Sequence, residues 1–346
     1  MKFSSIKFTA GALALAILLT ACGGGGGSGG SGALATGPEI NAAPVTSPTN
    51  TALVTSVPAA AYQAASEELT AFNLLNAERG RCGFGLLAQS TQLDAAARGQ
   101  NDYQILNNTA SHFQNQQQFP AGFTGATAAD RAAAAGYMNA GEVADEFTFA
   151  SGTTDKTGLG ERGMRGLLSA PYHLAGLMGG YRDFGVSARS STDTTPAGAS
   201  ARVILHVNAA YKMAAGPQLI AAGAVATYPC AGSTGVNRQL KNETPNPVPG
   251  RDLSLNPIGT PIYISTRSGA VLTIATAGMR ETLTNTSVVL RIPVTSASDL
   301  AGIYKSHQAY VAPDAPLKPL VEYTVTVTGT AGGVAFTTTF PYTTGN

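Results

Sequence analysis

Three pieces of one stretch decide how the chain reads: NNTASHFQ (107–114), GYMNAGEVA (136–144) and LLSAPYHLAGLMGGYRDFGV (167–186). The chain has four histidines, and this stretch holds two of them, His112 and His173. Between them lies Glu142, beside Gly141. Two imidazoles and a carboxylate drawn from separate segments are the side chains from which a small polar or metal-binding cleft is built.

Upstream of that stretch the pattern is helical. Ala65, Leu69, Phe72 and Leu75 recur at three- and four-residue spacing, with Glu67, Glu68 and Glu78 on other faces, and Gly80 supplies a stop. Ser90-Thr91 opens a second helix that carries Leu93, Ala96, Ala97 and Tyr103 to about residue 106. Thr127 with Asp130 three residues on forms a capping box for a short Ala-rich helix closed by Gly136. Residues 160–178 predict a further helix, broken near Pro171. Residues 141–149, 181–188 and 202–211 read as strands. This alternation predicts a three-layer α/β/α unit with a mainly antiparallel sheet over residues 61–228.

Residues 229–257, rich in Pro, Asn and Gly, read as an interdomain linker. Beyond them the period becomes two: Val288, Leu290, Ile292 and Val294 alternate, as do Val321, Tyr323, Val325 and Val327. With 262–266, 271–276 and 334–341, residues 258–346 predict a small all-β sandwich. The fold class is therefore α+β.

At 346 residues the chain is long enough for two domains. Its net charge of +1 and 12% of charged residues leave no basic stripe, which excludes nucleic acid as a partner class. Lys2 and Lys7 precede an apolar run, 10–19, too short to span a bilayer. That run ends in Leu19-Thr20-Ala21-Cys22, which resembles a bacterial lipobox. The resemblance implies a signal peptide over 1–21, lipidation of Cys22, and membrane attachment at the outer membrane or cell surface. Several acyl chains anchor stably because each buried methylene contributes about 0.8 kcal/mol. Residues 22–60, Gly/Ser-rich and then Pro-rich, read as a tether. Setting Cys22 aside leaves Cys82 and Cys230 as an even pair in an oxidising compartment, and a disulfide between them is expected.

Two motif matches are dismissed on context. Gly26-Gly27-Ser28-Gly29-Gly30 fits G-x-S-x-G without the strand and helix that a nucleophile elbow requires. Residues 158–163 fit G-x-G-x-x-G, but a loop precedes them where a dinucleotide site needs a strand. His206 reads as a core or sheet-edge histidine, His307 as a surface-loop residue, and Glu161, Arg162 and Arg165 as a solvated helix face.

Leu75-Asn76-Ala77-Glu78-Arg79, Ser111-His112, Gly141-Glu142, the SAPYH run ending at His173, and Phe184-Gly185-Val186 together resemble a bacterial CAP domain. That superfamily groups cysteine-rich secretory proteins, antigen 5 and pathogenesis-related (SCP-like) proteins. The likeness spans roughly residues 64–212 and implies an α/β/α sandwich. The tail is similar to Ig-like β-domains, on Pro316-Leu317-Lys318-Pro319 leading into Glu322-Tyr323-Thr324-Val325. Family members line a central cleft with two histidines and two acids. Carried over by position, these are His112, Glu142 and His173; the second acid falls on Leu167-Leu168-Ser169-Ala170 and is missing. The resemblance thus implies an extracellular, envelope-exposed binding module for a lipid, peptide or cell-envelope ligand. His112, Glu142 and His173 would hold a divalent metal such as zinc, and no residue is assigned as catalytic. The competing functions are an adhesion or spacer role for the β-domain and a metal-assisted, peptidase-like hydrolase.

Overall fold

A computed structural model describes residues 51–193 and 200–346. The expected signal peptide, the lipidation expected at Cys22 and the expected tether as far as residue 50 lie outside the described residues. The chain is a mixed α+β protein with five helices and several β-sheets among them.

The helix starts follow their caps. In α1 (Glu67–Arg81) the Ser66 hydroxyl accepts from Leu69 N, with Glu67 and Glu68 in the first turn and Arg79 and Arg81 in the last, charges that suit the helix dipole. Ser90 caps α2 (Thr91–Leu106), and Thr127 with Asp130 forms the capping box of α3 (Ala128–Ala134). The expected break at Pro171 separates α4 (Leu159–Leu167) from α5 (Pro171–Leu177), where proline takes the first helical turn. The glycines of the G-x-G-x-x-G match serve packing. Glu67 accepts from Gly158 N and Gly160 N, so a carboxylate of α1 already fills the α4 N-terminus. A Cβ on Gly160 would overlap the Glu67 carbonyl oxygen.

The first sheet has the strand order β1-β3-β4-β2, with β1 (Ala88–Gln89), β2 (Ala140–Ser151), β3 (Asp183–Ser190) and β4 (Arg202–Lys212). Only the β1–β3 pair is parallel. β2 is an edge strand, paired to β4 alone among the described residues. Leu93 of α2 and Ala132 of α3 cluster with Ala210 and Val143 of this sheet. Residues of α1, α4 and α5 pack in a different cluster with Phe184, Val186, Leu205 and Val207.

The second half holds β5 (Val225–Tyr228), β6 (Ile262–Thr266), β7 (Leu272–Glu281), β8 (Val294–Thr295), β9 (Gln308–Val311), β10 (Glu322–Ala331) and β11 (Val334–Thr343). They form two antiparallel sheets, β5-β6-β9-β8 and β11-β10-β7. β6 is buried at every residue. Ile262 and Ile264 face Val325, Val327 and Phe340 of the other sheet, whereas Tyr263 belongs with Phe84, Tyr228, Tyr304 and Tyr310 to the core of the first half.

Four expectations differ from this arrangement. β5 lies inside 61–228, yet it pairs with β6 and so belongs to the second half's sheet. The 229–257 segment is packed, with Leu240, Val248 and Leu253 buried in the first core and Leu240 N donating to Ile258 O at 2.8 Å. The end of the expected tether is also held: Val54 O accepts from Leu86 N, Thr51 O accepts from Leu219 N, and Val54 N donates to Gln218 Oε1. The described residues accordingly fall in one unit. The expected strand at 288–294 shrinks to β8: Val288 and Leu290 pack partly buried against the second core, but the pairing there is reduced to an isolated bridge between Leu290 and Pro313, and Ile292 is 87% exposed. Pro293 also has no N–H for a ladder.

Cys82 and Cys230 are disulfide-bonded across 148 positions, with Cα atoms 5.4 Å apart. Chain entropy for a loop of that length is worth about 5 kcal/mol. The Cys82→Ala/Cys230→Ala double variant should therefore lose about 2–5 kcal/mol, the usual toll of deleting a native bridge, in urea unfolding. A midpoint unchanged from wild type would contradict that role.

Candidate functional site

His112 lies on the loop that follows α2, and His173 in the first turn of α5. Gln100 and Gln104 of α2 both donate to Ser111 O and so fix the His112 loop. The acidic partner is Glu146 of β2. One donor atom each from His112, Glu146 and His173 lies within 4.8 Å of the other two. His173 Nε2 is 3.7 Å from Glu146 Oε2, close to the edge of about 3.4 Å that a tetrahedral zinc ion with ligand bonds near 2.1 Å would set.

Glu142, the carboxylate expected from the sequence, is elsewhere. It is exposed, paired in register with Tyr211. Strand alternation puts it on the same face as Glu146 but four residues away, about 13 Å along the strand. The pleat fixes the face, and only the position of α5 fixes which of the two acids meets the histidines. Gly176 is the local signal: a Cβ there would overlap Glu146 Oε1, so the glycine of α5 makes room for this carboxylate.

Each histidine is braced by a second carboxylate. His112 Nδ1 is 3.0 Å from Asp145 Oδ2. Asp145 and Glu146 are neighbours on opposite faces of β2, and His112 reaches both because β2 is an edge. Asp145 Oδ1 also accepts from Arg131 Nη2 at 2.7 Å and pairs with His206 Nε2 at 2.6 Å. Arg131 Nη1 donates to His112 O at 3.1 Å, which ties the loop's backbone to the same hub. His206 is thus a buried support, stacked on Phe147 with ring centroids 5.6 Å apart. On the other side His173 Nδ1 is 2.9 Å from Glu243 Oε1, a residue of the 229–257 segment. His307 is half-buried in the second half, away from this cluster.

The electrostatics of the three acids differ. Burial pushes the Asp145 carboxyl up, but His206, His112 and Arg131 outweigh it and hold the group well below the usual carboxylate range. Burial drives His206 below its ordinary value, against the pull of Asp145. Glu146 has no cation to compensate it: burial, and then the charges of Asp145 and Glu243, push it well above the ordinary glutamate value. Glu243 is also raised, by burial, although His173 and two backbone N–H groups draw it back.

The two histidines line a cleft of about 1080 Å³, while Glu146 is not among its lining residues. Phe113, Phe147 and Phe149 give it an apolar wall, and the 237–244 segment forms the opposite rim with Arg238 and Lys241. Phe113 is 66% and Phe149 44% exposed, so this apolar surface is open to a ligand.

No protein-family model matches the chain, and no curated protein matches it. Among solved structures the chain is similar to an outer surface protein from Borrelia burgdorferi. The two are 15% identical, over 41% of this chain and 89% of that one, with a TM-score of 0.30.

The Glu146 shift makes a signed prediction. Its folded pKa lies above the unfolded one, so folding takes up a proton between the two and stability falls as pH rises through that window. Glu146→Gln should make the metal-free chain more stable than wild type at about pH 8, with the gap closing by about pH 4. Asp145 behaves oppositely: its contribution is full above the unfolded carboxyl range and is lost as pH falls through the folded value. Asp145→Ala leaves Arg131 buried and unpaired and should cost about 3–5 kcal/mol near neutral pH. Thermal melts across pH check both, and a destabilised Glu146→Gln in the alkaline melts would refute the first.

Proposed function

We propose that this chain is an exported, lipid-anchored protein of the CAP type that binds an apolar or cell-envelope ligand in the cleft above His112, Glu146 and His173. The observation that carries the reading is the cleft itself, an apolar wall ending at His112 and His173, whose donor atoms lie within 4.8 Å of one of Glu146. Helices packed against different parts of the first sheet support the three-layer α/β/α arrangement, and two antiparallel sheets sharing one core support the Ig-like sandwich that follows. The lipobox-like LTAC run (19–22) supports attachment at the outer membrane or cell surface. Among the described residues, no helix is long and apolar enough to cross a membrane.

The donor set fits a divalent ion such as zinc. Both histidines engage a carboxylate through Nδ1, which leaves Nε2 as the free ring nitrogen, the arrangement typical of metal-bound imidazoles. When bound, the ion would supply a positive centre with an open position, able to take an oxygen or nitrogen of a ligand. Glu146 completes the set as the oxygen donor. The phenylalanine wall removes the ligand's apolar part from water, at about 25 cal/mol per Å² buried. A metal-assisted hydrolase is the second reading. It is favoured by Glu146, a buried carboxyl with a raised pKa beside His173, as general acid–base chemistry uses.

Zinc titration calorimetry tests the site. One-site binding is expected for the wild-type chain and for Glu142→Gln, and its loss for His112→Ala and for His173→Ala. Binding indifferent to both histidine changes would contradict the assignment.

A further inference from the structure

We propose that Glu243, from the segment joining the two halves, is the positioning residue that presents His173 to the cleft. The inference rests on reading the cluster as a ligand site, and it supplies the second acid that the sequence pattern lacked, in a supporting role.

Three donors converge on Glu243 Oε1. They are Tyr172 N at 2.8 Å, His173 N at 3.2 Å and His173 Nδ1 at 2.9 Å. The α5 N-cap is Ala170, whose side chain offers no acceptor, so the first turn of that helix is capped from outside it. Because one carboxylate oxygen holds both the backbone and the ring of His173, the imidazole has one orientation. An ionised carboxylate only accepts, so Nδ1 carries the proton and Nε2 is left with its lone pair. That Nε2 faces Glu146 Oε2 at 3.7 Å, too far for a hydrogen bond, and stays free for a ligand.

Two further facts separate this role from capping alone. The Glu243 side chain is fully buried, and its Oε2 has no hydrogen-bond partner, a costly arrangement where a neutral Gln or Asn could also cap a helix. The segment around it is fixed: Cys230 is bridged to Cys82 at the C-terminal end of α1, and Leu240 pairs with Ile258. The other half reaches α5 as well. Tyr304 Oη donates to Pro171 O at 2.8 Å, and Tyr172 Oη donates to Asp299 Oδ1 at 2.9 Å. The first turn of α5 is therefore held by residues beyond position 228, and the presentation of His173 depends on the docking of both halves.

The test uses the full chain with ¹⁵N-labelled histidine, metal-free and then titrated with zinc. Long-range ¹H–¹⁵N spectra read each ring's tautomer. In the wild type, His173 is expected with the proton on Nδ1. In Glu243→Gln the amide still caps α5 through its oxygen, but it can donate to Nδ1. The expected result is a shift toward the Nε2–H form and zinc affinity lower by about 10–100-fold, with the His112 signals in place and melting near wild type. A Glu243→Gln chain that keeps the Nδ1–H tautomer and wild-type zinc affinity overturns the proposal and leaves Glu243 as a cap. Should Glu243→Gln fail to fold, the wild-type spectrum still decides: His173 protonated on Nε2, or a proton that leaves Nδ1 on zinc addition, overturns the proposal, and an Nδ1–H form kept with and without zinc supports it. Should the wild type bind no zinc, the ligand-site reading fails, while the tautomer comparison still judges Glu243.

Discussion

Strand β6 has no solvent face, and the rest of the molecule follows from that. Its isoleucines serve the core between the two β-sheets, and Tyr263 serves the core of the helical half. A strand covered on both faces cannot be separated from either side without exposing buried apolar surface to water, at about 25 cal/mol per Å². The tyrosine cluster around it spreads the joint: Tyr304 meets Tyr263 edge-on and Tyr310 at a tilt, with centroids 5.3–6.1 Å apart, and reaches on to Tyr172 and α5. The segment between the halves is thereby clamped, and Glu243 is delivered to His173.

The site combines satisfied and unsatisfied charge. Asp145 is fully compensated, by Arg131, His206 and His112, and acts as a rigid hub behind the edge strand. Glu146, one residue on and facing the other way, has only the distant Nε2 of His173 for a partner and sits among other carboxylates. Buried, uncompensated charge is destabilising. On the proposed reading, a buried carboxyl without a counter-charge beside two braced imidazoles is a place where a cation or a polar ligand group would complete the set.

Much of this is legible in the sequence because the responsible physics is local. Ser90, Thr127 and Asp130 announce helix starts through hydrogen bonds three residues long, and Pro171 marks its own break. The cysteine pair follows from counting. His112 and His173 are found by their segments and do meet. Sequence reasoning takes Glu142 by its place in the resemblance and passes over Glu146, because a strand pattern gives the face of each acid but not which pleat lies under α5. It misses Glu243 because the relation to His173 spans 70 positions and crosses a stretch whose Pro and Asn content reads as a linker. The same composition hides the burial of Leu240 and Val248, and with it the single unit in place of two domains. Alternation at 288–294 misleads in another way: Val288 and Leu290 do turn toward the core, but a period of two says nothing of whether a neighbouring strand runs alongside for long enough to build a ladder.

The central claim is that His112, Glu146 and His173 form one ligand-accepting centre. Anomalous diffraction at the zinc absorption edge from crystals of the chain soaked in zinc tests it most directly. The account predicts a peak within bonding distance of the two Nε2 atoms and a Glu146 oxygen, with Glu243 still on His173 Nδ1. Zinc density confined to other residues, or none at this centre, would contradict it.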